Sequence, residues 1–503
     1  MLSKSEIRSF LDKQPAFDDF SNTLRGAAKF ANKSILKEVR EIVALARKFN
    51  QQVVIPYNLE LDRKRQADHD FLPWEFVQQA NQWGFYTMWI PRFFGGKGYS
   101  YHSLFYFLEE IASECLGMAN LIGVHYLGAC ALFCVWNIRV CNMIFREVAQ
   151  GEKIGKPCLI TACTTEPGAG TDCEEPKLLN RSKMITHAKK VDGGYLLNGT
   201  KIFISNGHLS QWHAVVTYED LSQCNETAMI CLVKTGSKGF SFGRQENKMG
   251  QLGCPASELI FKDCFVPDHL VALNKAQVDK LNSGGKGKTH EVLSHFFSTS
   301  RIGVASFGVG AARGAFQKAL KFALETEVDG KLLINHQWAQ CLLAEMHKNV
   351  LSSRLAYVEA TATNALDGMT RPLNIKPLYY YFKYAPFQGM EKIVTWAMSH
   401  PATTWLFRKI QLDWQSQDKL FRTTGWGALA KFMATDAGIK NSHLALELMG
   451  QAGLRHDRCA EKILRDAKLL QVYEGTNQLN RLNMFESFIS RHHTQVAVYE
   501  HEQ

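Results

Sequence analysis

Several features that would assign this 503-residue chain at once are missing from it. Its thirteen cysteines form no Cys-x-x-Cys pair and no repeating spacing, and their number is odd. That excludes a zinc ribbon or a disulfide framework and predicts reduced thiols, mostly in the core, of a cytoplasmic protein. The first twenty residues mix acids with bases (Glu6, Arg8, Asp12, Lys13, Asp18, Asp19). They lack both the unbroken apolar stretch of a secretory leader and the acid-poor composition of a transit peptide. The longest apolar run, residues 126–136, ends at Asn137 and Arg139 and is too short to span a bilayer, so no membrane span is expected. The net charge of +10 is spread among acids, with no interleaved arginine and aromatic patch, which argues against nucleic acid as a partner. Neither GxxxxGK[ST] nor GxGxxG occurs, so the usual phosphate loop and dinucleotide fingerprint are absent.

What is present is a change of texture along the chain. Residues 1–157 carry helical periodicity: Ile35, Val39, Ile42, Val43 and Ala46 recur at three- and four-residue spacing, and 71–85 and 101–119 read the same way. From Pro157 short β-branched runs take over. Residues 158–164, 213–218, 228–234 and 258–265 read as strands, and 194–205 as two strands joined at Asn198-Gly199. Residues 158–289 therefore form a predicted β domain. Helical periodicity returns over 290–503, with small residues (Gly303, Ala305, Gly308, Gly310, Ala311) that let neighbouring helices approach closely. Residues 371–427 are aromatic-rich and less regular. The predicted fold is mainly α with a middle β domain.

Three motifs carry candidate chemistry. Thr164-Thr165-Glu166-Pro167-Gly168-Ala169-Gly170-Thr171-Asp172 is a glycine-rich loop able to present backbone N–H groups to a ligand, although a plain surface turn fits the same residues. Phe203-Ile204-Ser205 places an aromatic and a hydroxyl two apart, on one face of a regular strand. The alternative is a core phenylalanine with a strand-end serine. In Tyr473-Glu474-Gly475-Thr476-Asn477-Gln478 a carboxylate occupies a tight turn between two helices, the second capped by Thr476. It is either a solvated loop acid or one held in an apolar cleft, where desolvation suits it to act as a base.

Taken together with Lys248-Met249-Gly250, Cys254-Pro255-Ala256-Ser257-Glu258-Leu259 and Arg465-Asp466-Ala467-Lys468, these motifs over residues 30–490 resemble the acyl-CoA dehydrogenase family. The resemblance implies an N-terminal helical domain, a β-barrel-like middle domain and a C-terminal four-helix bundle enclosing FAD, in a homodimer or homotetramer. It implies that Glu474 is the base that takes the α-proton of an acyl-CoA thioester while a β-hydride passes to flavin N5. The thioester oxygen would accept from the Glu474 N–H. Cys163, Thr165, Gly170, Thr171, Phe203, Ile204, Ser205, Gln337, Thr476 and Gln478 match cofactor-contacting positions. Thr171, Arg301, Tyr473 and Gly475 match positions near the substrate. An electron-transferring flavoprotein is the implied electron acceptor.

The chain departs from the family pattern at Thr326 and Asp329, where arginine and phenylalanine are usual, at Glu447 and Gln451, and at Glu486, where an arginine can contact CoA. Residues 371–427 look inserted. Two other readings remain on the same residues: an oxidase or flavin monooxygenase of this fold, and a non-catalytic CoA-ester or partner-binding protein with a weakened flavin site.

Overall fold

The computed structural model describes residues 2–11, 32–277, 288–369, 371–385, 389–493, 495–496 and 498–499; the charge alternation over 12–19 lies outside them. The N-terminal part contains α1 (Asn32–Phe49), α2 (Tyr101–Ala112), α3 (Leu116–Val135) and α4 (Ile138–Lys153). The periodic apolar face of α1 is what α1 buries: Ile35, Val39, Ile42, Val43 and Ala46 are all fully enclosed. The helix expected over 101–119 breaks at Ser113–Cys115. Carbonyls at its end are satisfied by side chains from elsewhere, Asn50 Nδ2 donating to Glu110 O (2.6 Å) and Asn58 Nδ2 to Glu114 O (2.9 Å). The apolar run judged too short to span a bilayer belongs to α3, which begins ten residues earlier. By length and composition α3 suffices to cross a membrane, and in this fold it is packed within the core.

The middle region is one curved sheet: β1 (Ile160–Cys163), β2 (His187–Val191), β3 (Gly194–Ser205), β4 (Trp212–Tyr218), β5 (Ala228–Lys234), β6 (Phe240–Gln245), β7 (Ala256–Pro267) and β8 (Val271–Leu273). The order is β6-β7-β3-β2-β4-β5-β8, with β1 parallel to β4. One face has its own small core, including Cys163, Leu197, Val215, Cys231 and Phe261. The predicted hairpin at Asn198-Gly199 does not form, because β3 runs through it as a single twelve-residue strand. Asn198 instead sits at a bulge and pairs with Asp263 on β7, donating from Nδ2 to Asp263 Oδ1 (3.0 Å) and accepting from Asp263 N (2.9 Å). The β2 and β6 strands escaped the sequence reading because His187-Ala188-Lys189-Lys190-Val191 is too polar, and the β6 run is interrupted by Gly243.

The C-terminal part packs α5 (Lys288–Glu325), α6 (Gln337–Asp367), α10 (Gln417–Met449), α11 (Ala460–Leu469) and α12 (Asn477–Phe488). The small residues of α5 do bring helices together: a Cβ on Gly308 would lie 2.7 Å from Ala434 O on α10, and one on Gly310 would lie 2.8 Å from Glu109 O on α2. A buried ionic cluster ties α2 to the bundle, with Arg313 donating to Glu109 (3.0 Å) and Glu110 and Arg354 donating to Glu109 (3.0 Å). The segment expected to be irregular is helical, as α7 (Lys376–Tyr384), α8 (Glu391–Ser399) and α9 (Pro401–Asp413). It packs on the N-terminal helices through Phe407 stacked on Trp136, Arg408 Nε donating to Val135 O (2.8 Å) and Phe382 against Phe93.

Candidate active site

A cavity of about 550 Å³ lies where the three parts meet. Its apolar lining includes Leu104, Phe105 and Leu108 of α2, Val124 and Leu127 of α3, and Phe307 of α5. The same lining brings together Thr165, Gly170 and Thr171 of the loop after β1, Phe203 to Ser205 of β3, and the Tyr473–Glu474 turn. Eight of the predicted site residues therefore share one cavity, drawn from positions more than 300 residues apart in sequence.

The Glu474 turn is fixed by its surroundings. Glu474 (φ 54°) and Gly475 (φ 74°) both lie in the left-handed region, which is costly for glutamate and persists only when neighbours over-determine it. Those neighbours are Asn480, whose Nδ2 faces the carbonyls of Glu474 (3.3 Å), Gly475 (2.9 Å) and Thr476 (3.0 Å), and Lys431, whose Nζ donates to Gly475 O (2.7 Å) and Asn477 Oδ1 (2.8 Å). Arg301, itself buried, adds Nε to Glu474 O at 3.4 Å. Thr476 Oγ1 accepts from Leu479 N (3.3 Å) and caps α12, as its sequence position predicts. Ser300 Oγ donates to Glu474 Oε2. Burial raises the Glu474 carboxyl above the ordinary carboxylate range, against the opposing pull of the Ser300 hydrogen bond, Arg301 and Lys431. Burial likewise drives the Lys431 ammonium down to about 7. Tyr473 OH donates to Gln251 Oε1 (3.2 Å), which also accepts from Asn120 Nδ2 (2.9 Å), joining the turn to the middle and N-terminal parts.

The opposite character appears in the loop and strand residues. Phe203 is 55% exposed and adopts φ 57° at a bulge between Lys201 and Ile204, so Phe203, Ile204 and Ser205 all reach the cavity rather than alternating across the strand. The Thr165 and Thr171 hydroxyls make no hydrogen bond among the described residues, and a Cβ on Gly170 would meet nothing within 4 Å. An uncovered aromatic ring beside unpartnered hydroxyls and an open glycine loop fits a planar, polar-edged group such as a flavin.

Some predicted residues lie off the cavity wall. Cys163 is enclosed in the small sheet core, Gln337 and Gln478 are exposed at the first turns of α6 and α12, Gly475 is the buried member of the turn, and Arg301 packs against the turn's backbone. Glu486 is paired with Lys177, so its charge is not a free acid. Asp329 and Gly330 form the two-residue turn of a short hairpin, both with positive φ (49° and 78°), which Asp-Gly favours. Glu447 and Gln451 are exposed. Sequence reasoning missed Ser300, Lys431, Asn480 and Glu174. Only Ser300, adjacent to the arginine already singled out, had a local signal.

This three-part fold is that of the acyl-CoA dehydrogenases. Family models for the N-terminal, middle and C-terminal domains match residues 37–135, 161–264, and 290–385 with 412–489, the last interrupted within the inserted helices. The chain belongs to the acyl-CoA dehydrogenase family and is an oxidoreductase of that FAD-dependent group. It is 27% identical to cyclohex-1-ene-1-carbonyl-CoA dehydrogenase of Syntrophus aciditrophicus over 89% of both chains. It is 25% identical to the acryloyl-CoA reductase (NADH) of Anaerotignum propionicum over 91% of this chain and 96% of that one. The structure of butyryl-CoA dehydrogenase from Megasphaera elsdenii superposes with a TM-score of 0.67 at 22% identity, covering 90% of this chain and 98% of the other.

Proposed function

We propose that this enzyme removes hydrogen from the α and β carbons of an acyl-CoA thioester, with Glu474 as the base that takes the α-proton. The observation that carries this reading is Glu474 on the wall of one cavity with an apolar lining from α2, α3 and α5 and with Thr165, Thr171 and Phe203–Ser205. A thioester α-proton is weakly acidic, and two features of the turn lower the barrier. Desolvation raises the carboxyl's proton affinity toward the working range of a general base. The left-handed backbone leaves the Glu474 N–H without an acceptor among the described residues, free to donate to the thioester oxygen as enolate charge develops. The apolar lining takes the acyl chain and keeps water from the reacting carbons.

FAD, when bound, supplies the hydride acceptor. Thr165, Gly170, Thr171, Phe203, Ile204 and Ser205 are the residues proposed to hold it, together with Thr476, Gln478 and Gln337; Cys163 lies one layer behind. Thr171, Tyr473, Gly475 and Arg301 are assigned to the thioester side. The exposure of Gln337 and Gln478 accords with a homodimer or homotetramer in which a second copy covers them. An electron-transferring flavoprotein is the proposed acceptor, and the cytoplasm the proposed location, in keeping with thirteen free cysteines.

The test is Glu474→Gln, assayed by acyl-CoA-dependent dye reduction. The variant keeps its fold and its bound yellow cofactor, and turnover falls by at least about 100-fold, the lower range for loss of a general base. Turnover within ten-fold of the parent overturns the assignment.

A further inference from the structure

Glu174 is a half-buried acid on the cavity wall that this mechanism leaves unused. It sits in a short 3₁₀ turn (Thr171–Glu174) directly after the Gly170 loop and lines the same cavity as Glu474. Its Oε2 is closed to solvent and has no hydrogen-bond partner among the described residues. That oxygen lies 3.3 Å from where a Cβ on Gly475 would stand, which puts it beside the base-bearing turn. The next residue, Glu175, turns the other way and accepts from Asn483 Nδ2 (2.6 Å), so the two adjacent acids have separate surroundings. Facing Glu174 are Glu474 from the turn, Arg301 from α5, Lys431 from α10, and Asp172 and Cys173 from its own turn; Tyr473 faces Glu474.

Two carboxylates in one water-poor cleft cannot both ionise cheaply, so such a pair retains a proton at neutral pH. The hydrogen bonds decide which member keeps it. Glu474 accepts from Ser300, which favours its charged form, while Glu174 Oε2 has no donor to stabilise a charge. We propose that Glu174 is a positioning residue for Glu474: it holds a proton in the cleft, so that the pair carries one negative charge and Glu474 is the member that bears it. The inference rests on Glu474 being the base. Burial first, and then the facing Glu474, push the Glu174 carboxyl up to about 8. Above that pH a second negative charge enters the site where enolate charge must develop, and the reaction slows.

The sign for stability is equally definite. A carboxyl protonated in the folded protein but ionised in the unfolded chain makes stability fall as pH rises. For Glu174 that loss begins near its ordinary value of 4.5 and is complete near 8. The experiment compares the parent with Glu174→Gln, which keeps the size and neutrality of the protonated acid. In the parent holoenzyme kcat/KM falls about ten-fold per pH unit above pH 8, as one ionisation requires; in Glu174→Gln that limb is gone and activity at pH 7 is retained. In parallel, the urea midpoint of the parent declines relative to that of Glu174→Gln between pH 4.5 and 8. An alkaline limb of unchanged midpoint in the variant, or parallel midpoint curves, overturns the proposal. A limb belonging to Lys431, itself brought down to about 7, would survive the substitution and so count against Glu174. Should Glu474→Gln retain turnover, the base assignment fails on its own, while the urea curves still report whether Glu174 holds the proton.

Discussion

The two polar walls of the cavity are built on opposite plans. On the Glu474 side, the carbonyls of Glu474, Gly475 and Thr476 all have donors, supplied by Asn480, Lys431 and Arg301. On the loop and strand side, the Thr165 and Thr171 hydroxyls have no hydrogen-bond partner among the described residues, and Phe203 leaves half its surface open. The first wall is organised by the chain itself before any ligand arrives. The second is left for a ligand to complete. The difference teaches where each kind of substitution should register: in folding stability on one wall, in cofactor affinity on the other.

The largest effect is expected from Lys431→Met. It removes the two hydrogen bonds that a buried ammonium makes to Gly475 O and Asn477 Oδ1, leaving each acceptor one donor, Asn480 and Thr435. The cost is about 3 kcal/mol in denaturant unfolding, the worth of hydrogen bonds to a charged group. Asn480→Ala follows at about 2 kcal/mol, and dehydrogenation falls with it as the turn loses the donor shared by three carbonyls. FAD affinity, measured by fluorescence titration of the apoprotein, should stay close to the parent value in both. Thr165→Val and Thr171→Val reverse the pattern: each weakens FAD binding about five-fold, the worth of one ordinary hydrogen bond of about 1 kcal/mol, with unfolding unchanged. Phe203→Ala also leaves stability within about 0.5 kcal/mol of the parent, because the ring is largely exposed, and it too should lower FAD affinity. Equal losses of stability and affinity across both walls would erase the contrast.

The sequence made the Glu474 turn legible because local punctuation marks it: a glutamate and a glycine between two apolar-faced helices, followed by a capping threonine. The loop over 164–172 was legible for the same reason. The partners that fix these motifs were not. Ser300 reaches Glu474 across 174 positions and Lys431 reaches Gly475 across 44, and no local pattern encodes such meetings. Asn198-Gly199 misled because tertiary register outweighed turn chemistry: Gly199 takes φ 140° rather than a hairpin value, and Asn198 is committed to Asp263 across the sheet. At Phe203 an expected two-residue alternation yields to a bulge that turns three successive residues toward the cavity. The inserted helices escaped because they are short and leave Tyr381, Ile393, Trp396 and Trp405 exposed, so their apolar residues do not mark one buried face.

The central claim concerns the α-proton, and isotope exchange reads it directly. Holoenzyme incubated with an acyl-CoA in heavy water should place deuterium on the α carbon, and Glu474→Gln should do so at least about 100-fold more slowly while binding FAD as tightly as the parent. Exchange at the parental rate in that variant would show that another group takes the proton.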